Sequence, residues 1–218
     1  RDDILRRPGP LVVDLPDPNE AGAGTLVEAT VFDDRECLAA AARVVVQPSL
    51  PRWTPAPGAV AGTVLSGYAC APLGRAVRAA IGSRRPAGAA PPRVLLCFGG
   101  SDPSDVTARV GRTLAVDARW ALEVVVGPDY RGIAEASGLA VVREPPDLVA
   151  RLLAADAAVI GAGTMKFEAA ALGVPAVLVA VGDDQLPVGP PFAATGAAAW
   201  AGDARDLDPG TLADVLAA

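Results

Sequence analysis

Eight short apolar runs, most of them rich in valine, recur along the chain: LVVDL (11–15), EATVFDD (28–34), RVVVQPS (43–49), RVLLCFGGSD (93–102), LEVVVGPD (122–129), LAVVRE (139–144), AAVIGAG (157–163) and PAVLVAVGDD (175–184). Their apolar residues are continuous, the pattern of strands buried on both faces of a parallel sheet. Between them lie alanine-rich stretches such as DVTARVGRTLA (105–115) and DLVARLLAA (147–155), with apolar residues at helical spacing and an aspartate at or near the start as a cap. Strands alternating with helices predict an α/β fold with a parallel, doubly wound sheet. The stretch GSRRPAGAAPP has no periodicity and predicts an interdomain linker over 82–91. Two Rossmann-like parallel-sheet domains follow, a front one over 1–81 with three strands and a rear one over 92–218 with four or more. The first strand arrives soon after Arg1, so the front domain is expected to be truncated, lacking its first strands.

At 218 residues the chain is long enough to bury a sizeable core, and its 51% hydrophobic and 4% aromatic content fits alanine-rich helices on valine-rich strands. A net charge of −6 without a basic run argues against nucleic acid and favours a small-molecule partner. The basic residues are 18 arginines and one lysine, Lys166, a bias that reads as codon composition. Cys37, Cys70 and Cys97 are far apart and no histidine accompanies them, so no metal set is expected and a reducing compartment is. No apolar stretch reaches the roughly 20 residues that span a bilayer, and no signal peptide opens the chain, so the expected location is the cytoplasm.

In an open parallel sheet, ligands bind beyond the carboxyl ends of the strands, which directs attention to three loops. FGGSDPSDVT (98–107) carries Gly99, Gly100 and the hydroxyl of Ser101, with Asp102 or Ser104 able to cap the next helix; it reads equally as a ligand loop and as a tight turn. In VIGAGTMKFEAAALGVPAVLV (159–179), Gly161, Ala162 and Gly163 lead to Thr164, where a helix N-terminus would offer free N–H groups to an anion. Glu168, one helical turn on, could accept from ribose hydroxyls, or could simply be a favourable charge near the helix's positive end. In VGDDQLPVG (181–189), Asp183, Asp184 and Gln185 suit sugar hydroxyls, or make a polar turn. Three such loops after strands of one sheet would converge on one crevice. A nicotinamide-linked Rossmann enzyme is the weaker reading, because no GxGxxG follows the first strand of either half. There is likewise no Walker loop, no nucleophile elbow and no histidine for a triad.

The order GGSDPSDVT, then helix, strand and helix, then DLVARLLAADAAVIGAGTMKFEAAALGVPAVLVAVGDDQ resembles the C-terminal domain of GT-B-fold nucleotide-sugar enzymes. More narrowly it is similar to the family of the UDP-sugar hydrolase of pseudaminic acid biosynthesis and the related spore-coat polysaccharide proteins. SGYACAPLGRAV (66–77) resembles that family's segment before its linker, and the likeness covers most of residues 10–202. The resemblance implies a UDP-type nucleotide on the rear domain: diphosphate at Gly163, Thr164 and Met165, ribose at Glu168, and the loop of Gly99, Gly100 and Ser101 beside it. The sugar would project into a cleft between the domains, and no metal or other cofactor would be needed. The chain also departs from the family pattern. The family's N-terminal glycine-rich loop with a catalytic histidine has no counterpart; its front strand ends in Asp-His-Tyr where this chain has Asp14, Leu15 and Pro16; and Asp184 replaces an asparagine.

Two functions follow. The first is an enzyme that hydrolyses, or transfers glycosyl from, a UDP-sugar in surface polysaccharide or glycan biosynthesis. Helix N-termini would stabilise the leaving diphosphate, and a front-domain carboxylate, Asp14, Asp17 or Asp34, would activate water or an acceptor hydroxyl. The second is a non-catalytic or degenerate nucleotide-sugar-binding protein.

Overall fold

The computed structural model describes residues 11–14, 29–32, 43–51, 62–84 and 91–217. The chain divides into two compact units, Arg1–Pro72 and Leu73–Ala218.

The first unit contains four parallel strands paired in sequence order: β1 (Leu11–Asp14), β2 (Ala29–Phe32), β3 (Val44–Gln47) and β4 (Thr63–Ser66). Val45 and Val46 of β3 are buried, as their place in the middle of a valine run predicts. Strand β4 escapes the reading of apolar runs: TVLS is short, and its position at the sheet edge leaves most of it exposed.

The second unit begins with helix α1 (Arg75–Ala80), which buries Val77 and packs on two helices of its own unit. Its contacts therefore assign it to the second unit, whereas the linker composition expects the division after residue 81. The elements that follow are β5 (Arg93–Cys97), α2 (Val106–Ala115), β6 (Ala121–Val126), β7 (Val141–Arg143), α3 (Leu148–Ala154), β8 (Ala157–Gly161), α4 (Met165–Leu172), β9 (Ala176–Ala180), α5 (Gly189–Ala193), β10 (Ala199–Asp203) and α6 (Pro209–Ala217). The partners of α1 are α3 and α4.

The six strands form one parallel sheet in the order β10-β9-β8-β5-β6-β7. Numbered within the unit and read from the β7 edge this is 3-2-1-4-5-6, the doubly wound order of dinucleotide-binding folds. Chain direction across the sheet reverses between β5 and β8, so a crevice opens there, beyond the carboxyl ends of those two strands.

The core is built as the pattern predicts. Val94, Leu95 and Leu96 of β5 and every residue of β9 are buried, as central strands covered on both faces require. Helix α2 buries Val106, Val110 and Leu114, spaced four apart, against β5, β6 and α6, and the Trp120 indole N–H donates to Leu114 O at 2.9 Å. Helix α4 ends at Gly173, whose φ of 71° lets Gly173 N–H and Val174 N–H bond back to Ala170 O and Ala169 O. Strand β10, which the valine pattern does not reveal, is an edge strand bulged between Trp200 and Gly202.

Two capping expectations, Asp105 and Asp147, need correction, while the expected cap by Asp102 holds. Asp105 has φ 49° and does not cap α2; the buried Asp102 does, accepting from Val106 N–H at 3.0 Å and Thr107 N–H at 2.7 Å. Asp147 precedes α3 without capping it, because its carboxylate pairs with Arg151 one turn along, at 2.7 Å.

Candidate functional site

Three loops leave β5, β8 and β9, three adjacent strands, of which β5 and β8 flank the crevice and β9 lies next to β8. Each is shaped by different local chemistry.

After β5 the chain turns at Gly99, which takes φ 89°, and Gly100 and Ser101 are exposed. This loop is locked to the loop after β6. Asp129 N–H donates to Gly100 O at 3.0 Å, and a Cβ on Gly127 would lie 2.4 Å from Gly100 Cα. Only glycine at 127 permits that approach. The N-terminus of α2 is already occupied, because the Asp102 carboxylate takes two of its N–H groups. The loop after β6 is held in turn by Tyr130, a buried side chain whose hydroxyl donates to Asp105 and accepts from Ala134 N–H at 3.1 Å. Burial and the hydrogen bond to Asp105 push the Tyr130 hydroxyl pKa well up, so it stays protonated.

After β8 the chain passes through Gly161, Ala162 and Gly163 into α4. Ala162 N–H bonds Val179 O of β9 at 3.0 Å, anchoring the turn to the sheet. Thr164 occupies the N-cap position, exposed, and no side-chain hydrogen bond caps α4 there. The contrast with α2 is electrostatic. One helix end at the crevice is filled by a carboxylate, and the other leaves its positive end without a side-chain cap. Met165 is half-buried and Lys166 buried. Lys166 Nζ turns back to donate to Ala162 O at 2.9 Å and Gly163 O at 3.3 Å.

Glu168, half-buried, faces inward on α4. Burial pushes its carboxyl pKa up. It lies near the end of β5: burial chiefly raises the Cys97 thiol pKa, and the carboxylates of Asp102 and Glu168 add to that rise. Cys97 pairs with Ile160 across β5 and β8, so the first and second loops leave adjacent strand ends.

After β9, Gln185 lies across the glycine turn. Its Oε1 accepts from Val181 N–H at 3.2 Å, and its Nε2 is 3.6 Å from where a Cβ on Gly163 would sit. Asp183 and Asp184 are exposed. Asp183 is paired with Arg205 at 2.7 Å, and Arg205 also grips Asp203 at 2.6 Å. These three side chains, with Ser104 and Gly182, border a hollow of about 200 Å³ at the carboxyl edge of the sheet. A larger apolar hollow of about 530 Å³, bordered by Pro175, Ala199 and Leu216, lies at the opposite edge, where the strands begin. The smaller one is where a doubly wound sheet presents its loops.

The fold thus gathers Gly99, Gly100, Ser101, Gly163, Thr164, Met165, Glu168 and Gln185 at one edge of one sheet, and ties Asp183 to Arg205. Asp14 ends β1 in the first unit, and Asp17 and Asp34 lie outside the described residues. Two residues gained importance only in three dimensions, Lys166 and Arg205. The one lysine among 18 arginines, set beside a glycine turn, was the available signal for the first. Among the described residues no cluster of three or more His, Cys, Asp or Glu could hold a metal ion, and no helix is long and apolar enough to cross a membrane.

No protein-family model matches the chain, and no curated protein matches it. Among solved structures it is similar to the crystal structure of the glycotransferase of kitacinnamycin, with a TM-score of 0.51 and 20% identity. The match covers 78% of this chain and 44% of that one, so the chain spans less than half of that protein's length. The likeness is one of fold. The chain has a glycosyltransferase-like α/β fold containing a six-stranded parallel sheet.

Proposed function

We propose that this protein is a nucleotide-sugar-processing enzyme of GT-B type, its second unit binding the nucleotide and its first supplying the groups that act on the sugar. The observation that carries the reading is a glycine turn at the reversal point of a doubly wound sheet, entering a helix that no side chain caps, with Glu168 one turn in. Backbone N–H groups there suit a diphosphate, and glycine lets the ligand come close. Glu168 would accept from the ribose hydroxyls, an engagement that repays the cost of half-burying its charge.

The substrate we assign is a UDP-sugar, hydrolysed or used for glycosyl transfer in surface polysaccharide or glycan biosynthesis. The motif resemblance to the pseudaminic-acid-pathway hydrolase and spore-coat polysaccharide family supports that choice, and the fold likeness to the kitacinnamycin glycotransferase supports glycosyl transfer in general. Ser101 and the Gly99–Gly100 turn would flank the nucleotide. Gln185 and Asp184 would face the sugar, and Asp183 would join them when Arg205 releases it. Asp14 and Asp34 are the carboxylates proposed to activate water or an acceptor. The absence of any histidine favours a second reading, a nucleotide-sugar-binding protein without turnover.

Calorimetric titration with UDP tests the site. Glu168→Ala should weaken UDP binding roughly tenfold or more, the loss of hydrogen bonds to a charged group worth about 1.5–3 kcal/mol. Unchanged affinity in that variant refutes the ribose assignment. Asp14→Asn should spare UDP binding and abolish release of UDP from a UDP-sugar, whereas no turnover by the wild type under any acceptor condition selects the binding protein.

A further inference from the structure

We infer that Lys166 is a positioning residue for the diphosphate: from behind the glycine turn its ammonium fixes two peptide planes so that two successive N–H groups face outward. This inference rests on the nucleotide reading above and specifies how the turn is made competent. Lys166 is only 2% exposed, and its Nζ lies 2.9 Å from Ala162 O and 3.3 Å from Gly163 O. Each carbonyl shares a planar trans peptide with the following N–H, which points the opposite way. Turning Ala162 O and Gly163 O toward the ammonium therefore turns the N–H groups of Gly163 and Thr164 away from it. Two consecutive N–H groups aimed at one side of a turn make an anion-binding concavity.

The surroundings of the ammonium strengthen its effect. Its Nζ is 4.2 Å from the centroid of the Phe167 ring and 5.9 Å from that of Phe192, and the two rings meet edge to face at 5.6 Å. Aromatic faces attract a cation, and the two rings help hold the ammonium behind the turn.

The test compares wild type, Lys166→Met, which keeps the length and loses the charge, and Lys166→Arg, which keeps the charge. UDP, uridine and inorganic pyrophosphate are titrated by calorimetry, with the amide resonances of Gly163 and Thr164 followed by NMR. Expected are UDP affinity at least tenfold lower in Lys166→Met, uridine affinity within twofold of wild type, and most of the UDP affinity restored in Lys166→Arg. A folded Lys166→Met that binds UDP within twofold of wild type overturns the inference, as does one that loses uridine and UDP in equal proportion. Pyrophosphate separates this inference from the nucleotide reading. If it moves both amides in the wild type and not in a folded Lys166→Met, while UDP and uridine bind nowhere, the nucleotide reading falls and the role of Lys166 stands. If it moves neither amide in the wild type, the role of Lys166 falls.

Discussion

Gly127 and Gly163 each follow a strand of the same sheet, yet alanine should act on them in opposite ways. At Gly127 a Cβ would sit 2.4 Å from Gly100 Cα, 2.6 Å from Gly100 O and 2.7 Å from Gly99 O, all backbone atoms that cannot rotate aside. The two loops must separate, straining the bond from Asp129 N–H to Gly100 O; overpacking costs about 1–3 kcal/mol. At Gly163 the nearest atom is Gln185 Nε2 at 3.6 Å, an ordinary contact, and Gly163 is not among the glycines with positive φ. Gly163→Ala should therefore leave stability unchanged or raise it by about 0.4–1 kcal/mol, since alanine narrows the unfolded ensemble. Its methyl group nevertheless sits beside the N–H groups of the turn, on which the diphosphate is proposed to lie. Urea titration followed by circular dichroism measures the first quantity and UDP calorimetry the second. The expected pair is a destabilised Gly127→Ala and a Gly163→Ala of normal stability whose UDP affinity falls at least tenfold. A Gly163→Ala variant with wild-type UDP affinity would remove the turn from the ligand site, and a Gly127→Ala variant of wild-type stability would refute the packing argument.

Asp102→Ala strips two N–H groups at the start of α2 of their acceptor and should cost about 2 kcal/mol, at the upper end for a lost cap, with Asp102→Asn intermediate; equal urea midpoints for all three proteins would contradict the cap. Tyr130→Phe leaves Asp105 and Ala134 N–H each short of a partner and should cost about 1–3 kcal/mol, measured the same way. Glu168 carries a raised folded pKa, so the fold binds its proton more tightly than the unfolded chain does, and this residue's contribution to stability falls as pH rises from the unfolded value through the folded one. Glu168→Gln should consequently stabilise the ligand-free protein at neutral pH and have no such benefit below pH about 4, where both states are protonated; a benefit that persists in acid would show that charge is not its source.

Pattern alone determined much of this protein. Runs such as RVLLC and AVLVA can be covered only from both sides, so a parallel sheet with helices between its strands was legible, and so were the three loops that follow strands. Elements without that surplus were not legible: β4 and β10 are edge strands short of valine, the first mostly exposed and the second half-buried, and their pairing comes from the neighbouring strand. The site divides in the same way. Glycine turns before helices can be seen in one dimension, because backbone freedom is a local property. Which helix end is open cannot, since sequence offers Asp102 or Ser104 as a cap after GGSD and only the fold shows Asp102 closing that end. Nor can sequence separate a glycine required by a facing backbone, Gly127, from one that leaves room, Gly163. Lys166 is the plainest case: composition made it a stray lysine, and the fold placed its ammonium behind the turn, where two carbonyls and two aromatic rings hold it. Strand and helix periodicity is written along the chain, whereas a charge acquires its role from the groups that tertiary packing brings within reach of it.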